Sequence, residues 1–115
     1  MKELDQASNR PKQTFTVKIE DGSTFTMSIK YIEMQYGWFV ENLTYGDFQI
    51  NNMRICNSPN MFHQFRNKLP FGIACITSGN REPSFIEDFE EKESTLYLLT
   101  EEEVSEYEGF LRGEV

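Results

Sequence analysis

The stretch QTFTVKIEDGSTFTMSIKY, residues 13–31, decides the fold. Phe15, Val17 and Ile19 alternate with Thr16, Lys18 and Glu20; after a short break, Phe25, Met27, Ile29 and Tyr31 alternate with Thr26, Ser28 and Lys30. Successive side chains of a strand point to opposite faces, so each half of the stretch has one apolar and one polar face, as a half-buried strand requires. Asp21-Gly22 stands between the halves, and Asp-Gly accepts the positive-φ backbone of a turn whose twist matches the strands it joins. An antiparallel hairpin is predicted.

Downstream, Gly37-Trp38-Phe39-Val40-Glu41-Asn42-Leu43 is rich in aromatic and β-branched residues, and Tyr45-Gly46-Asp47 supplies a turn before Phe48-Gln49-Ile50. A second hairpin is expected, with a bulge or tight bend at Asn51-Asn52 before the strand continues through Met53. Ser58 as N-cap and Pro59 at the first helical position predict a short helix to Arg66, with Phe62 and Phe65 on one face. Phe71 to Thr77 is an almost unbroken apolar run, the mark of a central strand covered on both faces. Arg81 to Glu93, with Pro83 and a cluster of acids, is expected to be a solvated surface loop. Ser94 to Leu99 returns to strand. Thr100-Glu101-Glu102-Glu103 is a capping box that opens a terminal helix with Val104, Tyr107, Phe110 and Leu111 on its apolar face. The expected fold is mainly β: a small antiparallel β-barrel or sandwich with one short internal helix and a C-terminal helix. Residues 13–115 are expected to form one β-rich domain behind a flexible, polar arm of residues 1–12.

Bulk composition narrows the function. The 115 residues carry 19 acidic and 11 basic side chains, a formal charge of −8 that repels phosphate backbones and anionic lipid, so nucleic acid is not an expected partner. No apolar run approaches the roughly 20 residues of a membrane span. The polar start of the chain does not read as a signal peptide, so Cys56 and Cys75 are expected to be reduced thiols, and the sequon at Asn42 is expected to be unused.

Reactive chemistry is hard to find. General acid–base and nucleophilic mechanisms need a titratable pair within hydrogen-bond reach, and His63 is the sole histidine. Cys56 and Cys75 with His63 lack the four ligands and paired spacing of structural zinc. Glu87-Asp88-Phe89-Glu90-Glu91 does not follow the calcium-loop pattern, and adjacent carboxylates do not set the separation a hydrolase needs. No catalytic residue, cofactor or metal site is therefore expected. The aromatics, Tyr36 among them, exceed what strict alternation would turn inward, so some are expected to be exposed. Trp38, Phe39, Tyr45, Phe48, Phe85 and Phe89, with Glu87 and Asp88, are expected to form a protein interface, because exposed rings bury large areas at little entropic cost.

From Tyr36 to Glu106 the order of features resembles the baseplate plug family of contractile-tailed cyanophages. Gly37 to Leu43 is similar to the family's tryptophan strand, and Ile50 to Ile55 to the strand after its hairpin. Ser58 to Arg66 matches its turn and short helix. Phe71-Gly72-Ile73 resembles a Gly-bearing strand, Pro83 to Phe89 a Pro-then-acidic loop, and Leu96-Tyr97-Leu98 the closing strand. Glu90, Leu98 and Asn52 depart from the family's pattern, which bears on loop geometry more than on fold.

The resemblance implies a virion tail protein, made in the host cytoplasm, that sits at the baseplate centre and helps close or join the tail tube. It implies contacts with baseplate hub or tail-tube proteins, a homo-oligomeric arrangement around the tail axis, and no cofactor. Two other classes remain open. One is a small acidic regulatory or inhibitor domain that occupies a basic protein surface, and the other is an enzyme using Cys56, Cys75 or His63.

Overall fold

The computed structural model describes residues 2–4, 8–19, 21–65 and 68–111. Among these the strands are β1 (Lys2–Leu4), β2 (Lys12–Lys18), β3 (Thr24–Ile32), β4 (Gly37–Tyr45), β5 (Phe48–Arg54), β6 (Phe71–Thr77) and β7 (Ser94–Thr100), followed by helix α1 (Glu101–Leu111). They form two antiparallel sheets, ordered β2-β3-β4-β5 and β1-β7-β6. The sheets share one core without closing into a barrel, so the fold is the sandwich alternative.

The predicted hairpin forms with the expected register, Lys18 opposite Thr24 and Lys12 opposite Lys30. Its turn differs in one respect: of Asp21 and Gly22, only Gly22 has positive φ, at +93°. Gly22 N–H donates to Ile19 O at 3.0 Å, and Ile19 N–H to Ser23 O at 2.8 Å. The loop is therefore three residues long with glycine at its left-handed position. The second hairpin turns on Gly46, at φ +57°, between Tyr45 and Phe48.

A bulge lies in β4, not in β5. Ser28 pairs with Asn42 but Ile29 with Val40, which leaves Glu41 as the extra residue. The β4–β5 register runs unbroken past this point, and Asn52 takes φ +55°, the left-handed conformation its side chain tolerates.

Other expectations need correction. The helix foreseen from Ser58 to Arg66 is a 3-10 turn over His63–Phe65. Ser58 does not cap it, because Ser58 makes an isolated bridge to Cys75, with N–H···O distances of 2.9 and 2.8 Å. Asn60 ties the approach to this turn to β6: its Oδ1 accepts from Phe62 N–H at 3.1 Å and from Ile73 N–H at 3.3 Å. Strand β6 is covered on both faces, as its apolar run required, but it is an edge strand and β7 is the centre of its sheet. The second covering is α1, whose Val104 packs on Ala74 and Leu99. The capping box forms as read: Thr100 N–H donates to Glu103 Oε1 and Glu103 N–H to Thr100 Oγ1, both at 3.1 Å. The side chains of Tyr107, Phe110 and Leu111 lie outside the described residues. Within the expected N-terminal arm, Lys2–Leu4 instead pairs with β7 and buries Leu4. Three residues are too few to show a periodicity, and main-chain pairing needs none.

Aromatic rings join the layers. Phe25 of β3 stacks on Phe71 of β6, centroids 4.4 Å apart. Tyr45 and Phe62 meet the same Phe71 edge-on, at 5.7 and 6.4 Å.

Candidate protein-docking surface

Two connections meet at one end of the sandwich. The first joins β3 to β4 through a 3-10 turn at Glu33–Gln35 and Tyr36, which sits in the left-handed region at φ 48°, ψ 51°. A bulky residue there costs about 1–2 kcal/mol. Tyr36 N–H is fixed to Glu33 O at 3.1 Å, while Arg54 donates to Gln35 O at 3.3 Å and Tyr36 O at 3.1 Å. Arg54 also lies over the Phe39 ring, 5.4 Å from its centroid. Gly37 leaves room for this guanidinium, since a Cβ there would stand 2.5 Å from Nη2. The turn thus holds Met34 and Tyr36 outward, 93% and 69% exposed.

The second connection is the segment from Arg81 to Glu93. It is a surface loop with Glu82, Glu87, Glu90, Glu91 and Glu93 exposed, as composition suggested, but Asp88 and Phe89 turn inward. Asp88 is only 2% exposed and accepts from Arg81 Nη2 at 2.7 Å, Arg81 Nη1 at 3.0 Å and Phe85 N–H at 2.9 Å. Burial by itself would raise the Asp88 carboxyl; the Arg81 bonds and the Phe85 amide outweigh it and hold the carboxyl below its ordinary value. Phe89 is buried against Trp38, centroids 5.3 Å apart. Two polar tips from the core clamp the same loop: Trp38 Nε1–H donates to Phe85 O at 3.1 Å and the Tyr31 hydroxyl to Ser84 O at 2.7 Å. Desolvation first, then the nearby Glu33, Glu87, Asp88 and Tyr36, push the Tyr31 hydroxyl up, so it stays a donor at neutral pH. Phe85 is left 54% exposed, with the Arg81 guanidinium 5.2 Å from its ring centroid.

Of the residues expected to form an interface, Phe85 and Glu87 stand at the surface of this end. Trp38, Asp88 and Phe89 lie in the core beneath it and position it. Phe39, Tyr45 and Phe48 are half-buried. Tyr45 packs on Phe71, and Phe48 on Phe65 at 5.6 Å. Sequence reasoning counts Tyr36 among the surplus rings without placing it in that set, and leaves Met34 out altogether. The available signal was Met34 in the polar context of Glu33 and Gln35, a large apolar residue in no strand pattern.

The cysteines offer no activated nucleophile. Burial pushes the Cys75 thiol up to about 12, and desolvation followed by the Glu82 charge raises that of Cys56. Thiolate chemistry needs the opposite shift. His63 belongs to the 3-10 turn, with its side chain outside the described residues. No group of three or more His, Cys, Asp or Glu side chains placed to hold a metal is found among the described residues.

A search of the curated proteins finds no match. The family model described as cyanophage baseplate Pam3 plug gp18 matches residues 1–102 of the 115. The matched span takes in all seven strands of both sheets and both connections at the apolar end. The chain therefore belongs to the cyanophage baseplate plug family and is a structural protein of the phage tail baseplate, where its partners are other proteins.

Proposed function

We propose that the chain works by protein–protein assembly alone, docking onto baseplate hub or tail-tube proteins through the sandwich end that carries Met34, Tyr36 and Phe85. One observation carries this reading. Among the described residues four large hydrophobic side chains are exposed, Met34, Tyr36, Ile76 and Phe85, and three of them share that end. Exposed apolar groups gathered in one place mark contact surfaces. Arg54 holds the main chain at Tyr36, and Trp38, Asp88 and Arg81 hold Phe85, which lowers the ordering cost of association. The left-handed Tyr36 fits this reading, since strained backbone concentrates at ligand-contacting positions.

In this reading several copies stand around the tail axis and no residue is catalytic. Glu33 and Glu87 rim the patch and supply orientation more than affinity.

The test is incorporation of a Met34→Asp, Phe85→Asp double variant into baseplates in a complementation assay. Both positions are exposed, so the melting temperature is expected to stay near wild type. Two central anchors lost at about 2 kcal/mol each amount to several hundredfold in affinity. A folded double variant that incorporates at the wild-type level would refute the assignment of this surface. Binding that instead collapses at raised salt, with the apolar patch indifferent, would point to charge mimicry of the inhibitor kind.

A further inference from the structure

We infer that the outer edge of β2 takes an added strand: an extended, carboxylate-bearing segment of another baseplate protein, paired through its main chain to Lys12, Thr14, Thr16 and Lys18. The inference rests on the assembly reading above and concerns a second surface, distinct from the Met34–Phe85 end.

Four strands lie at sheet edges, β1, β6, β2 and β5. Strand β1 has only three residues. The free side of β6 is already occupied: Ser58 pairs with Cys75, and Met61 N–H donates to Ile73 O at 2.7 Å. The outer side of β5 is interrupted by Asn52 at φ +55°. Strand β2 is as long as β5 and β6, with seven residues, has no positive-φ residue within it, and among the described residues has no strand on its outer side.

The direction of its free groups follows from its hydrogen bonds. Tyr31 N–H donates to Pro11 O and Ile19 N–H to Ser23 O, both at 2.8 Å, so odd-numbered residues of β2 are the ones bonded to β3. The even-numbered Lys12, Thr14, Thr16 and Lys18 turn their N–H and C=O groups outward. None of these main-chain groups has a partner among the described residues. Their side chains are exposed, while Phe15 and Val17 between them are buried. A row of this kind is a template for strand addition. Beside its first half runs an open groove of about 610 Å³ lined by Arg10, Lys12, Thr14 and Glu90 among others.

Charge selects the occupant. Arg10, Lys12 and Lys18 line this edge in a chain of net charge −8, with Glu90 facing the groove and Glu41 of β4 3.5 Å from Lys12 Nζ. A second copy fits poorly, because two-fold antiparallel pairing of full β2 strands sets Lys12 opposite Lys18 at both ends, and directly opposed like charges are destabilising. The same lysines deter adventitious neutral strands and favour one bearing carboxylates on the outer face.

Hydrogen exchange of the wild-type chain, free and inside purified virions, reads the edge directly. In the free chain the Thr14, Thr16 and Lys18 amides are expected to exchange quickly and those of Phe15 and Val17 slowly; in the virion all five are expected to be protected. Thr16→Pro removes an N–H that bonds nothing in the free chain, at an edge position where proline is tolerated, so it is expected to fold. Its incorporation is expected to fall about tenfold or more, because ring and missing donor both oppose an added strand. Lys18→Glu is expected to lower incorporation as well. A folded Thr16→Pro chain loaded at the wild-type level, or even-numbered amides still fast in the virion, would overturn strand addition and leave the assembly reading standing. If Thr16→Pro fails to fold, the exchange comparison decides. Absence of the wild-type chain from virions would overturn both.

Discussion

Replacing Asp88 by asparagine tests how the apolar end is held. The carboxylate receives two bonds from Arg81 and one from the Phe85 amide at 2.7 to 3.0 Å, and only 2% of the residue reaches solvent. Asparagine offers one acceptor and turns an NH2 group toward donors, so at least one charge-assisted bond is lost, at about 1.5–3 kcal/mol. Losing a fully buried ion-pair partner costs about 3–5 kcal/mol, but the Arg81 side chain is 37% exposed and can regain water, so the lower range applies. The expected loss is about 2–3 kcal/mol. With an unfolding entropy of about 2.1 cal/mol/K per residue, a chain of 115 residues loses about 4 °C of melting temperature per kcal/mol, hence about 8–12 °C.

The pH dependence supplies the control. The folded-state carboxyl is depressed below its usual 3.8, so its contribution is complete above the unfolded value and vanishes as pH falls through the folded one. Thermal melts of both proteins from pH 7 downward should show a constant gap to about pH 5 and convergence below about pH 4. A gap under about 2 °C at pH 7, or one that persists undiminished at pH 2, would refute the claim that this ion pair anchors the loop.

Two further expectations concern the core. Gly72→Ala places a Cβ 2.7 Å from Asn60 Oδ1 and 2.9 Å from Val104 Cγ2, so it should cost about 1–3 kcal/mol in a denaturant melt; a neutral result would show that α1 can shift away from β6. In alkylation followed by mass spectrometry, exposed Cys56 should label slowly at pH 7 and faster as pH rises past 9. Cys75, buried with its thiol near 12, should label only on unfolding, and rapid labelling of either at neutral pH would contradict the environments described.

Local features were legible before any coordinates. The Gly22 hairpin and the Thr100–Glu103 capping box each close within a few residues, so alternation and turn chemistry suffice to find them. The alternation also marks Phe15, Val17, Phe25, Met27 and Ile29 as the buried face, and all five are buried. Errors began where a segment's fate depends on a distant partner. Ser58 reads as a helix cap but finds Cys75, and the apolar run of β6 reads as a central strand because α1 supplies the second covering. Asp88, in a run of acids, is drawn inward by Arg81.

The surplus of rings could be counted from composition, yet not divided between inside and outside. Trp38 and Phe89 fill the space between connections that meet only when the sandwich closes, and Met34, Tyr36 and Phe85 are what remains outside. A strand's pattern says which of its faces is apolar; what lies against that face, and which edges stay open, depends on contacts between residues far apart in the chain, which no local periodicity records.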